Sequence, residues 1–144
     1  MISTVCVALI LLGSVEGVCK SGSLSAAEQV ILDKHNALRA LHFNTSALCY
    51  GESGDDITFT SQSWAESMAA ALSMEHSTGD YGENLAYAGT TGTVADITAA
   101  YNSSTQAWYD EISDWDFSSS SGKDGTVTGH FTQVTIPPPY IFVR

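Results

Sequence analysis

Apolar side chains recur at the spacing of an amphipathic helix in three separate segments of this chain. The first segment covers residues 25–41, where Ser25 and Glu28 have the spacing of a capping box. We therefore predict that the first helix is capped by Ser25. Its predicted inner face consists of Ile31, His35, Leu38 and Leu41.

The second and third helices are predicted from the same periodicity. Thr60 or Ser61 can cap the second helix, and the third covers about residues 96–113. The predicted inner faces are Trp64, Met68, Ala71, Leu72 and Glu75 in the second helix, and Ile97, Tyr101, Trp108 and Ile112 in the third.

Segments rich in glycine, serine and acidic residues separate these helices. Residues 43–58 and 117–129 have this composition, which predicts loops. His130 to Val134 is a short run of residues with β propensity. The prolines at 137–139 would end any strand, because proline cannot donate to a sheet ladder. The pattern as a whole predicts three helices and few strands.

The first strongly apolar run, Val5 to Leu12, is too short to span a bilayer. Small residues, including Gly13, Ser14 and Gly17, follow it at positions suited to signal peptidase. We therefore predict that residues 1–17 form a secretory signal peptide, with a buried N-terminal strand as the alternative. No later stretch has the length and apolarity of a membrane span, so none is expected.

The charge of the chain limits its partners. Its 144 residues predict one domain, and its formal net charge is −11. Residues 1–17 contain Glu16 and no Lys or Arg, so their removal changes the net charge from −11 to −10. A protein this acidic repels phosphate backbones and anionic membranes, and nucleic acid is therefore not an expected partner.

Cysteine usage and glycosylation sequons agree with export. Cys6 lies in the predicted signal peptide, which leaves Cys19 and Cys49 to form one disulfide in the oxidising secretory route. Asn44-Thr45-Ser46 and Asn102-Ser103-Ser104 are sequons for N-glycosylation. We therefore expect a secreted glycoprotein with one disulfide.

The four histidines differ in their sequence surroundings. His35 lies on the apolar face of the first helix, which favours a hydrogen-bonded core residue. His42 lies near the end of that helix, where an imidazole suits the helix dipole. His76 and His130 lie in loop or strand-edge segments beside Ser, Thr and Gly, and they are the better candidates for metal ligands or acid–base groups.

Two carboxylates stand out among the many acidic residues. Glu83 lies between a turn and an apolar run, and Glu111 lies beside the apolar stripe of the third helix. Sequence spacing alone does not show whether these two carboxylates meet His76 and His130 in the fold.

Five short motifs occur in a fixed order along the chain. They are His35-Asn36-Ala37-Leu38-Arg39, Trp64-Ala65-Glu66, Gly82-Glu83-Asn84-Leu85, Trp108-Tyr109-Asp110-Glu111 and Gly129-His130-Phe131-Thr132-Gln133-Val134. Together they resemble the motifs of the CAP superfamily, which comprises cysteine-rich secretory, antigen 5 and pathogenesis-related class 1 proteins. The resemblance divides the chain into a signal peptide (1–17), an N-terminal tail (18–27), a CAP (SCP) domain (28–134) and a divergent proline-rich tail (135–144).

The resemblance implies an α+β fold, a three-layer α-β-α sandwich that is incomplete at the C-terminus. It also implies a central cavity lined by His76, His130, Glu83 and Glu111, where two imidazoles bind a divalent ion. Zinc is the expected cofactor.

The resemblance assigns supporting roles to further motif residues. His35, Asn36 and Arg39 would join the first helix to its neighbours. Asn84 and Gln133 would supply hydrogen bonds around the metal site.

The resemblance ends after Val134. There the family continues with a tryptophan, further strands and a second signature, whereas this chain continues into its prolines and ends at Arg144. We therefore expect an incomplete domain with an exposed sheet edge, as in a truncated or alternatively spliced product.

The implied function is that of a secreted, non-enzymatic binding protein for a lipid, a sterol or an extracellular protein. The alternatives are a metal-dependent hydrolase, in which His76 and His130 hold zinc and Glu83 or Glu111 is the base, and a non-functional fragment. A serine hydrolase is not expected, because Gly51-Glu52-Ser53-Gly54 misses the spacing of a nucleophile elbow. The oligomeric state is left open.

Overall fold

The computed structural model describes residues 3–11, 24–48, 56–78, 82–90 and 92–135. Its helices are α1 (Ala26–Arg39), α2 (Asp56–Ala71), α3 (Val94–Asp110) and α4 (Gly129–Thr135), with a 3-10 turn at Glu111–Asp114. Its strands are β1 (Ser3–Leu11), β2 (Gly82–Thr90), β3 (Trp115–Asp116) and β4 (Ser121–Gly122).

Strand β2 lies at the centre of three layers. It pairs antiparallel with β1, from Ser3 opposite Thr90 to Leu11 opposite Gly82. Successive side chains of a strand point to opposite faces. Accordingly, Leu85 packs with Met68 of α2, whereas Ala86 packs against the cluster formed by α1, α3 and α4. The predicted α+β fold with an α-β-α arrangement is confirmed.

The main core lies between α1, α3 and α4. Its buried apolar members are Ile31, Leu38, Leu48, Trp108, Tyr109, Phe131 and Val134. Aromatic rings dominate the contacts on one side of it, where Phe131 packs edge-on against Tyr109. Burial of these side chains is the main favourable term that holds the three helices together.

Helix α1 begins as predicted and ends earlier. The Ser25 hydroxyl accepts the amide of Glu28, and the Glu28 side chain accepts the amide of Ser25, so the predicted capping box is confirmed. The helix ends at Arg39, and Leu41 in the following turn is 70% exposed. The prediction that Leu41 belongs to the inner face is therefore wrong.

Helix α2 begins at Asp56, before either predicted cap, and it ends at Ala71. Leu72 then adopts a positive φ of 50°, which takes the chain out of the helix. Of the predicted inner face, Met68 is buried and Trp64 is half-buried. The remaining members, Ala71, Leu72 and Glu75, are exposed because the helix stops at this point.

Helix α3 agrees closely with its prediction. Thr93 caps it by accepting the amide of Asp96, and Trp108 is its most buried apolar residue. The helix ends at Asp110, where the 3-10 turn takes over the last predicted residues. The predicted loop at 117–129 contains the two residues of β4.

Helix α4 replaces the predicted strand at His130 to Val134. The carboxylate of Glu111 accepts the amides of His130 and Phe131, which would otherwise be unsatisfied at the helix start. Phe131 and Val134, three residues apart, are both buried on the core side. Tertiary contacts therefore outweigh the β propensity of this run.

Strand β1 coincides with the predicted signal peptide. A buried N-terminal strand was the alternative for this segment, and in the unprocessed chain it pairs along the whole of β2. Cleavage after residue 17 stays a prediction. No helix in the described part of the chain has the length and apolarity needed to cross a membrane. Cys19, Cys49 and the three prolines lie outside the described residues.

Candidate functional site

The first part of the candidate site pairs His76 with Glu83. His76 lies in the segment after α2, and its Nδ1 is 2.8 Å from Glu83 Oε1. The same oxygen accepts the amide of Ser77 at 2.9 Å. The imidazole is exposed (66%), whereas the carboxylate is almost completely buried (4%). The hydrogen bond therefore fixes Nδ1 as the donor and leaves Nε2 of His76 to other partners.

The second part pairs His130 with Glu111. His130 Nδ1 lies 2.7 Å from Glu111 Oε1, and Glu111 Oε2 accepts the amides of His130 and Phe131 at 2.9 and 3.1 Å. One carboxylate thus orients the imidazole and caps α4. The indole of Trp108 stacks on the His130 ring, with 6.2 Å between the centroids. This positioning role of Trp108 was not visible in the sequence, where the residue belongs to the predicted inner face of the third helix.

Two amide side chains connect the sheet to α4. Asn84, which is buried, donates to the carbonyl of His130 at 3.1 Å. Gln133 packs directly on Gly82, where a built Cβ would lie 2.8 Å from Gln133 Cδ. The absence of a side chain at Gly82 therefore permits this approach. Asn84 thus donates a hydrogen bond beside His130, whereas Gln133 Nε2 is buried without a hydrogen-bond partner among the described residues, so the hydrogen bond expected of Gln133 stays a prediction.

The two His–Glu pairs approach β2 from different layers. Glu83 shares the face of Leu85, towards α2, whereas Asn84 points to the opposite face and reaches His130. The described residues include no group of three or more His, Cys, Asp or Glu side chains close enough to hold one metal ion. The structure thus joins the four predicted residues as two pairs, and it does not gather all four around one point.

The donor chemistry of the pairs nevertheless fits two imidazole ligands. When Nδ1 of a histidine donates to a carboxylate, Nε2 is left as the basic nitrogen that a metal takes. Glu83 Oε2 is also buried without a hydrogen-bond partner among the described residues. An orphaned buried carboxylate oxygen is costly, and a cation or an ordered water would satisfy it.

Two residues of the first motif, Asn36 and Arg39, hold α1 in place. Asn36 makes two hydrogen bonds to the backbone of Leu48, with its Oδ1 2.6 Å from the amide and its Nδ2 3.2 Å from the carbonyl. Arg39 donates to the carbonyls of Ser46 and Val134, both at 2.8 Å. Burial lowers the pKa of Arg39 to about 10. These contacts join α1 to the following loop and to α4, as expected.

His35 is a core residue, as predicted. It is fully buried and its Nδ1 donates to the carbonyl of Ile31 at 2.9 Å. Burial lowers its pKa to about 4, although the bond to Ile31 acts in the opposite direction, and the charge of Arg39 lowers it further. The imidazole is therefore neutral at physiological pH. It lies against Trp108, at 6.4 Å between ring centroids.

His42 belongs to an aromatic cluster with Tyr109, Phe117 and Phe131. Its Nε2 lies 2.8 Å from the hydroxyl of Tyr109, and its ring stacks on Phe117. Burial lowers the pKa of His42, and the charge of Arg39 lowers it further. Burial raises the pKa of Tyr109.

The fold agrees with the family to which the motifs point. The sequence model of the cysteine-rich secretory protein family, CAP, matches residues 32–138. This chain belongs to the CAP family. The matched range includes both His–Glu pairs and the α1 residues that hold the fold together.

Relatives of the CAP chain are found in fungi and plants. It is 37% identical to Protein PRY2 of Saccharomyces cerevisiae over 105 residues, which are 72% of this chain and 27% of PRY2. It is 35% identical to Pathogenesis-related protein 1A of Nicotiana tabacum over 108 residues, 75% of this chain and 58% of that protein. It is 36% identical to Secreted protein RBT4 of Candida albicans over 112 residues, 74% of this chain and 26% of RBT4.

The chain therefore spans between about a quarter and three fifths of the length of these relatives. One of them is named as a secreted protein, and the family description is of secretory proteins.

Proposed function

We propose that this CAP chain is a secreted, non-enzymatic binding protein whose two His–Glu pairs each offer one imidazole nitrogen to a divalent metal ion. The observation that carries the proposal is the pairing itself. Each Nδ1 is committed to a carboxylate, at 2.8 Å for His76 and 2.7 Å for His130, which leaves two Nε2 atoms as ligands. Imidazole ligands suit zinc, with water completing its coordination.

Hydrolysis is not part of the proposal. Catalytic zinc sites usually have three protein ligands, and the described residues offer no group of three. Glu83 and Glu111 are also engaged with their histidines, so neither is positioned as an independent base. The pairs are better suited to stabilising a binding surface than to activating water.

The ligand we propose is a lipid or sterol, with an extracellular protein as the alternative. Leu41, Phe43 and Phe117 expose large apolar side chains, and Phe43 is 95% exposed. The ring of Phe117 stacks on His42, and His42 lies between Leu41 and Phe43 in the sequence. A net charge of −11 disfavours anionic membranes, so this apolar surface is suited to a neutral ligand.

Two features support secretion in this proposal, namely the predicted signal peptide at residues 1–17 and the family of secretory proteins to which the chain belongs. Removal of residues 1–17 takes away β1, so the exported chain would carry β2 without this neighbour. Protein recovered from the culture medium with an N-terminus near residue 18 would support this part. Recovery only inside cells, with Met1 or Ile2 still present, would count against it.

Zinc titration of the full chain by calorimetry tests the metal site. We compare the unaltered protein with His76→Ala, His130→Ala and the double variant, and His42→Asn controls for any histidine outside the pairs. We expect zinc binding by the unaltered protein, at least tenfold weaker binding at the altered pair in each single variant, loss of binding in the double variant, and little change for the control. Unchanged binding in the double variant would refute the site, whatever the result of the lipid test.

A separate experiment tests the apolar ligand. Lipids extracted from protein secreted into medium that contains sterol are identified by mass spectrometry, with Phe43→Ser and an exposed-residue control, Val127→Ser. We expect bound lipid to fall in the first variant and to persist in the second. An equal yield from both variants would exclude this surface as the binding site.

A further inference from the structure

We propose that β1 holds α2 on the sheet and thereby keeps His76 beside Glu83. Loss of residues 1–17 would then release this first His–Glu pair and leave the second pair, His130 with Glu111, in place. Cleavage of residues 1–17 and the use of the two pairs belong to the proposed function, on which this proposal rests.

Strand β1 covers one edge of β2 along its whole length. All nine residues of β1 have a partner in β2, and Ile10 lies opposite Glu83. In the described part of the chain, the sheet that contains β2 consists of these two strands. The N-terminal segment therefore supplies one of the two strands on which α2 can lie.

Helix α2 rests mainly on β1. Among the described elements, β1 is the one that α2 contacts most extensively, and its contacts with the other helices and strands are sparse. The apolar contact of α2 with β2 is a small cluster, in which Met68 meets Leu85 with Trp64 and Ala65 packed against them. Most of the stability of a helix in a protein comes from such packing. Without β1, α2 would keep little more than this small cluster on the sheet.

The segment that carries His76 is tied to α2. The indole of Trp64 in α2 donates to the carbonyl of Glu75, directly before His76, at 2.8 Å. The amide of Ser77, directly after His76, donates to the Glu83 carboxylate at 2.9 Å. The imidazole is largely exposed, so its position depends on this backbone segment more than on surrounding side chains. A displacement of α2 therefore takes His76 away from Glu83.

Strand β2 is held by contacts on its other side as well. The indole of Trp108 donates to the carbonyl of Leu85 at 3.2 Å, and Asn84 donates to the carbonyl of His130 at 3.1 Å. These bonds connect β2 to α3 and α4, whose buried side chains belong to the main core. We therefore expect Glu83 to stay in place when β1 is lost.

The second pair is held by α3 and α4. Glu111 directly follows α3, and its carboxylate accepts the amides of His130 and Phe131 at the start of α4. None of the described residues of α2 belongs to the main core that joins these helices. Loss of β1 should therefore act on His76 and leave His130 unaffected.

Amide hydrogen exchange of two forms of the protein, followed by NMR, tests the proposal. Cell-free synthesis without membranes supplies the full chain, with residues 1–17 retained, and the chain of residues 18–144. Ser77 and Phe131 are matched reporters, because the amide of each donates to the carboxylate of one pair. Met68 reports on α2, and Leu38 reports on α1. Neither export nor metal enters this experiment.

We expect loss of residues 1–17 to speed exchange by about tenfold or more at Ser77 and by about 100-fold or more at Met68. Exchange at Phe131 and Leu38 should change by less than about threefold. The physical reason is that α2 and the segment after it would open locally while the main core stays closed.

Nitrogen NMR of the neutral imidazole rings gives a second readout. The hydrogen bond to a glutamate fixes the proton of each ring on Nδ1, at 2.8 Å for His76 and 2.7 Å for His130. We expect His76 to keep this proton position only in the full chain, whereas His130 should keep it in both forms.

A variant of the full chain separates strand pairing from the mere presence of residues 1–17. Cys6→Pro/Val7→Pro removes a donor from the ladder, because one of two successive strand residues directs its amide to β2. Ser14→Pro/Val15→Pro, beyond the end of β1, is the matched control. We expect the first variant to act like the loss of residues 1–17 and the second to act like the unaltered chain.

Three outcomes would overturn the proposal. Unchanged exchange at Ser77 and Met68 after loss of residues 1–17 would show that α2 does not depend on β1. Faster exchange at all four amides would show that β1 holds the whole domain rather than α2. Protection of Ser77 that survives in Cys6→Pro/Val7→Pro would show that strand pairing does not position His76. A failure of export or of zinc binding would count against the proposed function and would not change these exchange rates.

Discussion

Replacement of Glu111 by alanine should destabilise the protein more than any other single change of an acidic residue in its described part. This carboxylate accepts three hydrogen bonds, from His130 Nδ1 and from the amides of His130 and Phe131, at 2.7, 2.9 and 3.1 Å. The substitution leaves two amides at the start of α4 without their acceptor and frees the His130 ring.

The magnitude can be worked from these contacts. Loss of a helix cap costs about 0.5–2 kcal/mol, and a hydrogen bond to a charged group contributes about 1.5–3 kcal/mol. Both side chains are partly exposed, at 20% for Glu111 and 34% for His130, so water replaces part of what is lost. We therefore expect Glu111→Ala to lower the free energy of unfolding by about 2–4 kcal/mol.

Urea denaturation followed by tryptophan fluorescence measures this loss. His130 stacks on Trp108, so near-ultraviolet circular dichroism should also lose signal if the ring is released. Glu111→Gln keeps one acceptor oxygen and should lose about half as much as the alanine variant. The matched control is Asp110→Ala, whose exposed carboxylate accepts from Gln106 alone among the described residues and should change stability by less than about 0.5 kcal/mol.

Equal midpoints for Glu111→Ala and Asp110→Ala would refute this reasoning. It would mean that α4 does not need its carboxylate cap, and that His130 is positioned by Trp108 and Asn84 alone. A large loss of stability with unchanged dichroism would also contradict the proposed link between the cap and the imidazole.

Three other predictions follow from single contacts. Burial lowers the pKa of His35 from 6.5 to about 4, so the unfolded chain takes up a proton at this residue before the folded chain does as the pH falls. Urea denaturation at a series of pH values should therefore show about 3 kcal/mol of stability lost between pH 6.5 and 4. The same measurement on His35→Gln should give a much flatter profile. Gly82→Ala should lower the free energy of unfolding by about 1–3 kcal/mol, because the added Cβ meets Gln133. In thermal unfolding, the double variant Gly82→Ala/Gln133→Ala should recover most of that loss. No recovery would contradict the contact. In secreted protein, Asn44→Gln should remove glycan mass, because Asn44 lies in a turn with φ 61°. Asn102→Gln should leave the mass of the glycan unchanged, because Asn102 lies inside α3. A mass loss for Asn102→Gln alone would reverse this assignment.

Local sequence signals were sufficient for α1 and α3. The capping box at Ser25 depends on two side chains three residues apart, so it needs no information from the rest of the fold. The apolar spacing through Ile31, His35 and Leu38 likewise reports one buried helix face. The ordered motifs were also sufficient to indicate the CAP family, because five matches in sequence do not depend on how the chain folds.

The same local signals failed where a distant group determines the backbone. His130 to Val134 has β propensity, yet Glu111, almost twenty residues earlier, satisfies the first amides of a helix there. The start of α2 at Asp56 and its end at Ala71 were not marked by a strong capping pattern either. Propensity differences are small per residue, so a few buried contacts reverse them.

The candidate site shows the same division. Sequence and family resemblance selected His76, Glu83, Glu111 and His130, because residue type and motif position can be read directly from the amino-acid sequence. Their partners were not visible, since each pair joins residues from different elements of the fold. Only the packing of α2 and α4 on opposite faces of β2 determines that His76 meets Glu83 and that His130 meets Glu111. Hydrogen bonds act over about 3 Å, so they are decided last, after the layers have fixed which side chains can meet.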